Sequence, residues 1–172
     1  MFGILKPNLV RWSGLAFAAA FISVSATYGA PKTQTPCVMN EQTVAELKAA
    51  KKATAKYHDV LAAEGDQYGD ANLPIPHMGE HFVNGSLIND GGVFNPAEPE
   101  ALVYQNTVDG EKRLVAVEYI VNISDYPLGP PEGFTGDCDQ WDTFGGVFRT
   151  LHAWIWAPNP DGVFSEFNPR FE

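Results

Sequence analysis

Basic residues are scarce. Eleven lysines and arginines stand against 21 aspartates and glutamates, a formal net charge of −10. Nucleic-acid binding is dominated by phosphate neutralisation, so this balance excludes a nucleic-acid partner and disfavours anionic membrane surfaces. Long hydrophobic runs are missing too. The stretch from Leu15 to Val24 falls short of the roughly 20 residues a spanning helix needs, and no later segment qualifies. Cysteine is almost absent. Cys37 and Cys138 lack a C-x-x-C partner, which removes the usual spelling of a redox dithiol or a zinc ribbon.

What is present begins with a secretory signature. Lys6 and Arg11 form a positive n-region, Leu15 to Val24 an apolar core, and Val24-Ser25-Ala26 a small-residue cleavage site. Cleavage is expected after Ala26, since a cut after Ala30 would put Pro31 next in line. Residues 1–26 then read as a signal peptide and residues 27–172 as a single domain, secreted or periplasmic, with no membrane attachment after cleavage. Losing Lys6 and Arg11 makes the remainder more acidic still. In an oxidising compartment the two cysteines read as one disulfide. It would close a loop of about 100 residues, which the chain-entropy model values at up to about 4–5 kcal/mol.

Thr27 to Pro36 is an extended lead-in. Asn40 and Thr43-x-x-Glu46 supply helix caps, and no Pro or Gly interrupts Glu41 to Glu64, so one long helix is expected there, ended by Gly65. Leu47, Ala50, Thr54, Tyr57 and Leu61 share its apolar face, with His58 at the edge. Strands are expected at Glu80–Asn84, Ala101–Gln105, Arg113–Val121 and Val147–Trp156. Asn122 to Gly146 is rich in Pro, Gly and Asp and reads as an irregular loop able to cover one end of the sheet. The fold class is therefore α+β: one long N-terminal helix packed on a small, mostly antiparallel sheet with long loops.

Four polar residues fall where these elements should face inward: His58, His81, Glu118 and His152. Leu114, Ala116, Glu118 and Ile120 alternate with Val115, Val117, Tyr119 and Val121, so Glu118 is the one charge inside an apolar strand. Burying a carboxylate costs several kcal/mol unless it is paired or ligates something. Three imidazoles and one carboxylate suit a divalent or transition metal such as Zn, Mn, Fe, Cu or Ni. The competing reading pairs Glu118 with a histidine or Arg149 and gives each histidine a backbone partner. His77-x-x-Glu80-His81 also spells the inverted zincin motif, but that motif needs a helix, and Pro74, Pro76 and Gly79 forbid one. Asp137, Asp139 and Asp142 lack the Gly and terminal Glu of a calcium loop. Trp141, Trp154 and Trp156 could line a ligand groove or simply build the core.

Lys56-Tyr57-His58-Asp59, Met78-Gly79-Glu80-His81-Phe82-Val83-Asn84, Pro99-Glu100-Ala101-Leu102-Val103-Tyr104, Val115-Ala116-Val117-Glu118-Tyr119 and Leu151-His152-Ala153-Trp154-Ile155-Trp156-Ala157-Pro158-Asn159-Pro160 together resemble a family of exported bacterial proteins of unknown function. The resemblance implies export and a shared fold, and no activity. Some members carry a histidine near the position of Phe148, a departure that bears on the ligand count.

Three functions follow. The first is an exported protein binding a metal ion through His58, His81, Glu118 and His152. The second is a metal-free extracytoplasmic binding or interaction module with a buried His/Glu network beside an aromatic groove. The third is an enzyme acting on a small extracytoplasmic substrate beneath the Asn122–Gly146 loop; the partner expected is thus a metal ion or a small-molecule ligand.

Overall fold

The computed structural model describes residues 37–73 and 75–171. The expected signal peptide, the whole expected lead-in from Thr27 to Pro36, Pro74 and Glu172 lie outside the described residues.

Asn40 caps the first helix, α1 (Glu41–Thr54), by accepting from the Thr43 amide at 2.8 Å. The expected single helix does not run on to Glu64. A 3-10 turn (Ala55–His58) follows, and Asp59 adopts an extended conformation (φ −89°, ψ 112°) before α2 (Val60–Gly65). The Asp59 carboxylate accepts from the Leu61 amide and so caps α2. A short acidic side chain competes with helical backbone bonding and favours such a cap over a helix interior. The break changes which residues are buried. Tyr57 stays in the core, whereas Leu61, expected on the same face, is 74% exposed.

Six antiparallel strands follow in place of about four: β1 (Gly69–Asp70), β2 (Glu80–Val83), β3 (Ala101–Asn106), β4 (Lys112–Asn122), β5 (Asp142–Phe144) and β6 (Phe148–Ala153), in the order β1-β2-β3-β4-β6-β5. A single helical turn, α3 (Gly85–Ile88), lies between β2 and β3. Trp154 to Trp156, expected to extend the last strand, leave the sheet.

The simple alternation expected of β4 fails at one residue. Val103 pairs with Ala116 and Tyr104 with Leu114, which leaves Val115 as a bulge. Leu114, Val117 and Tyr119 therefore join the core on the helix side, while Val115 and Ala116 pack on the opposite face with Val103, Trp154, Ala157 and Phe171. The Val115 carbonyl accepts from the amides of Trp156 and Ala157, so the bulge anchors the C-terminal segment.

The segment between β4 and β5 does not lie over the second face. Phe134 inserts it into the helix-side core, against Tyr119, Phe94 and Phe164. Glu46 on α1 accepts from the Thr135 amide and hydroxyl, and the Cys37–Cys138 disulfide closes the same junction. The second face is covered instead by Trp154, Ala157 and Phe171, while Trp156, Val163 and Phe164 of the same C-terminal segment pack on the helix side.

Candidate metal centre

His81, Glu118 and His152 come from three strands of that second face. Glu118 and His152 are paired directly across β4 and β6. His81 lies on β2, with the whole width of β3 between it and Glu118. On β3 His81 is paired with Val103 and Glu118 with Ala101, so the two side chains meet diagonally across β3, past Ala101, whose side chain ends at Cβ. The alternation on β2 sends Phe82 into the helix-side core and His81 to the other face.

The turn ahead of β2 sets this presentation. Gly79 has φ +103°, and a Cβ there would stand 2.6 Å from the Tyr104 carbonyl oxygen, so only glycine lets the chain fold this closely onto β3. The H-x-x-E-H spelling is non-helical, as its prolines and glycine require: residues 76–78 form a turn and Glu80 begins β2. Its other members serve the fold. Glu80 pairs with Lys112 and Asn106, and His77 Nδ1–H donates to the Phe171 carbonyl.

Within the group, His81 Nε2 lies 3.4 Å from His152 Nε2 and 3.4 Å from Glu118 Oε2. His152 Nδ1 lies 3.6 Å from Glu118 Oε1. One ligand atom from each of the three residues falls within 4.8 Å of the others, so the group could hold a metal ion. Exposure is 6% for His81, 6% for Glu118 and 2% for His152. His81 Nδ1 is buried without a hydrogen-bond partner. The Trp154 ring stacks on His152 at 5.9 Å and 15°, and the Thr150 hydroxyl bonds to Glu118.

Burial decides the charge of this group. It pushes Glu118 up to about 8, helped by the charge of Glu166 and opposed by the Thr150 bond. It pulls His81 down to about 4, and it pulls His152 to about 3 with a further push from His81. The contacts look like ion pairs, yet desolvating two opposite charges outweighs their attraction, and all three groups favour their neutral forms near pH 7. Two neutral imidazoles offer lone pairs, and a cation would take the place of the Glu118 proton. Three protein donors leave one coordination position for water or a ligand, the arrangement of zinc sites that polarise a bound oxygen.

The fourth expected ligand lies elsewhere. His58 is exposed and stands edge-on to Trp156, with ring centroids 4.3 Å apart, because the helix ends around it. Arg149 donates to the Tyr126 carbonyl and takes no part. The three tryptophans do not line one groove: Trp154 covers the triad, while Trp141 and Trp156 pack against the helix-side core. Sequence reasoning also missed Glu100. It is 1% exposed, accepts from the Ile120 amide at 3.0 Å, and is pushed up to about 7 by burial. Its signal was an acid immediately before the apolar run Ala101–Tyr104.

No family model, curated protein or solved structure matches the chain.

Proposed function

We propose that this is an exported protein whose His81–Glu118–His152 triad binds one divalent transition-metal ion, with zinc the first candidate. The observation that carries the reading is the donor spacing. Two contacts of 3.4 Å radiate from His81 Nε2, toward Glu118 Oε2 and His152 Nε2. Hydrogen bonds to nitrogen or oxygen centre on about 2.9–3.0 Å, so these are long for a direct network. Zinc–nitrogen bonds of about 2.0–2.1 Å in a tetrahedron imply donor–donor edges of about 3.3 Å, close to what is found. His58 is not part of this set.

Export rests on the basic and apolar pattern of residues 1–26, and the Cys37–Cys138 disulfide agrees with an oxidising compartment. The blocks resembling exported bacterial proteins fit the same reading, because Met78–Asn84, Val115–Tyr119 and Leu151–Pro160 each contribute one ligand.

The test is the metal content of untagged residues 27–172, measured by mass spectrometry as purified and after zinc reconstitution at neutral pH. One ion per chain, lost in His81→Ala and His152→Ala, is expected. A folded protein that takes up no metal after reconstitution would leave the triad as a buried hydrogen-bond network and end the metal reading.

A further inference from the structure

The triad is nearly sealed, with no donor residue more than 6% exposed. Catalytic zinc sites keep one position open to water or substrate, whereas structural sites fill the fourth position with a protein ligand. Burial of this depth favours a closed site, and the C-terminal segment brings a carboxylate to it.

Trp154 fixes where that segment meets the triad. Its ring stacks on His152, and its indole N–H donates to the Ser165 carbonyl at 2.6 Å. The next residue, Glu166, is held on its other side as well. Asn159 donates its side-chain amide to the Phe167 carbonyl at 2.8 Å, and the Asn168 amide donates to the His77 carbonyl at 2.8 Å. The segment as a whole is anchored firmly, since the Trp156 and Ala157 amides bond to the Val115 carbonyl of β4 and Phe164 packs in the helix-side core. Glu166 is therefore a half-buried carboxylate on a fixed backbone, beside the ring that covers His152.

Its charge reaches Glu118. Glu118 feels Glu166 more strongly than it feels Glu100. Yet Glu100 adjoins Ala101, the cross-strand partner of Glu118, and is the more deeply buried of the two acids. Charge interactions weaken with distance and strengthen with burial, so the Glu166 carboxylate is the nearer one. Two carboxylates brought together repel, a cost that a shared proton or a cation between them relieves.

We propose that Glu166 supplies the fourth ligand of the ion held by His81, Glu118 and His152, making a closed, structural centre that ties the C-terminal segment to the sheet. The inference rests on the metal reading of the triad. Two imidazoles and two carboxylates complete a tetrahedron and balance the charge of a divalent ion. No position is then left for water or substrate, and the ion stabilises the fold.

The experiment uses the full domain with cobalt(II) as the probe, since its visible spectrum reports coordination, and azide as an added anion. The wild-type spectrum should be that of a four-coordinate ion and should not shift with azide, because no position is open. Glu166→Gln keeps the shape of the side chain and Glu166→Ala removes it. Both should bind cobalt and zinc at least tenfold more weakly, and both spectra should now shift with azide. Circular dichroism of the metal-free variants checks that they fold; if one does not, the other carries the test. A wild-type spectrum that shifts with azide overturns the closed centre and leaves the triad standing as an open site. Folded variants with unchanged affinity overturn it too, as do variants that bind more weakly yet stay silent to azide, for then Glu166 acts only through its charge. A wild-type protein that takes up neither cobalt nor zinc overturns the metal reading, and the closed centre with it.

Discussion

Glu118 and His152 are cross-strand partners on β4 and β6, and their side chains meet at 3.6 Å on the face of the sheet opposite the described helices. The pairing is fixed by backbone register, so neither residue can leave the other without a slip of the whole ladder. His81 is different. It arrives from β2 diagonally across β3, past Ala101, and depends on the Gly79 turn for its aim. The site therefore has a rigid half and an aimed half, and substitutions should separate them.

Glu118→Gln tests the charge state of the rigid half. Burial holds the Glu118 carboxyl in its neutral form near pH 7, and an amide of the same shape is neutral too. The metal-free domain should keep its stability to within about 1 kcal/mol. Zinc binding should nevertheless fall by at least a hundredfold, because an amide cannot supply the anionic oxygen. Thermal unfolding of the apo form and a competitive zinc titration give the two numbers. A large loss of stability would mean that Glu118 is ionised and paired without metal.

Ala101→Leu tests the aimed half. The added side chain would fill the space through which His81 reaches Glu118. Overpacking at a wholly buried position should cost about 1–3 kcal/mol. Metal binding should be lost although all three ligands remain, whereas Ala101→Gly, which leaves the gap open, should retain it. The visible spectrum of the cobalt-substituted protein distinguishes the two: a four-coordinate signature for Ala101→Gly and none for Ala101→Leu.

The central strands and the triad were legible because they leave strong local marks. β2, β3, β4 and β6 are apolar runs, and His81, Glu118 and His152 interrupt three of them with a polar residue facing the same way. β1 and β5 are two or three residues of polar sequence with no alternation to read. The helix break at Asp59 was hidden because Asp is tolerated in a helix and its capping role depends on where Leu61 goes. The bulge at Val115 was invisible among consecutive valines and alanines, since sliding such a strand by one residue changes no polarity. His58 was misjudged for the same reason as Leu61: both were placed on the wheel of a helix that does not continue. The seating of Asn168 and Phe171 beside Trp154 on the triad face depends on contacts from His77, nearly a hundred residues earlier, which no local pattern encodes.

The Cys37–Cys138 disulfide should be separable from the site. It fastens the α1 entrance to the loop that carries Phe134, on the helix side of the sheet, where Thr43 and Glu46 also bond to Thr135. Removing it with the double Cys37→Ser, Cys138→Ser variant should cost about 2–4 kcal/mol, chiefly by freeing the unfolded chain. Zinc affinity measured well below the unfolding transition should change less than threefold. A parallel loss of affinity would mean that the helix side and the triad are mechanically coupled.

Glu100 gives the domain a pH dependence of its own, and its charge also raises Glu118 in the triad. Its carboxyl, ordinarily near 4.5, is pushed up to about 7 by burial, while its bond from the Ile120 amide pulls the other way and loses. A raised carboxyl means that the folded state binds the proton more tightly than the unfolded state. The stabilisation is complete below about pH 4.5 and is lost as the pH rises through about 7, by about 3 kcal/mol in all. Glu118 contributes with the same sign from about pH 4.5 up to about 8, so the wild-type trend alone cannot be assigned to Glu100. Glu100→Gln removes this one titration and keeps an oxygen to accept from Ile120. Denaturant melts at pH 4.5 and pH 8 should show the variant close to wild type at the lower pH and more stable than wild type at the higher. Equal stabilities at pH 8 would show that the Glu100 carboxylate is solvated or paired well enough to ionise freely.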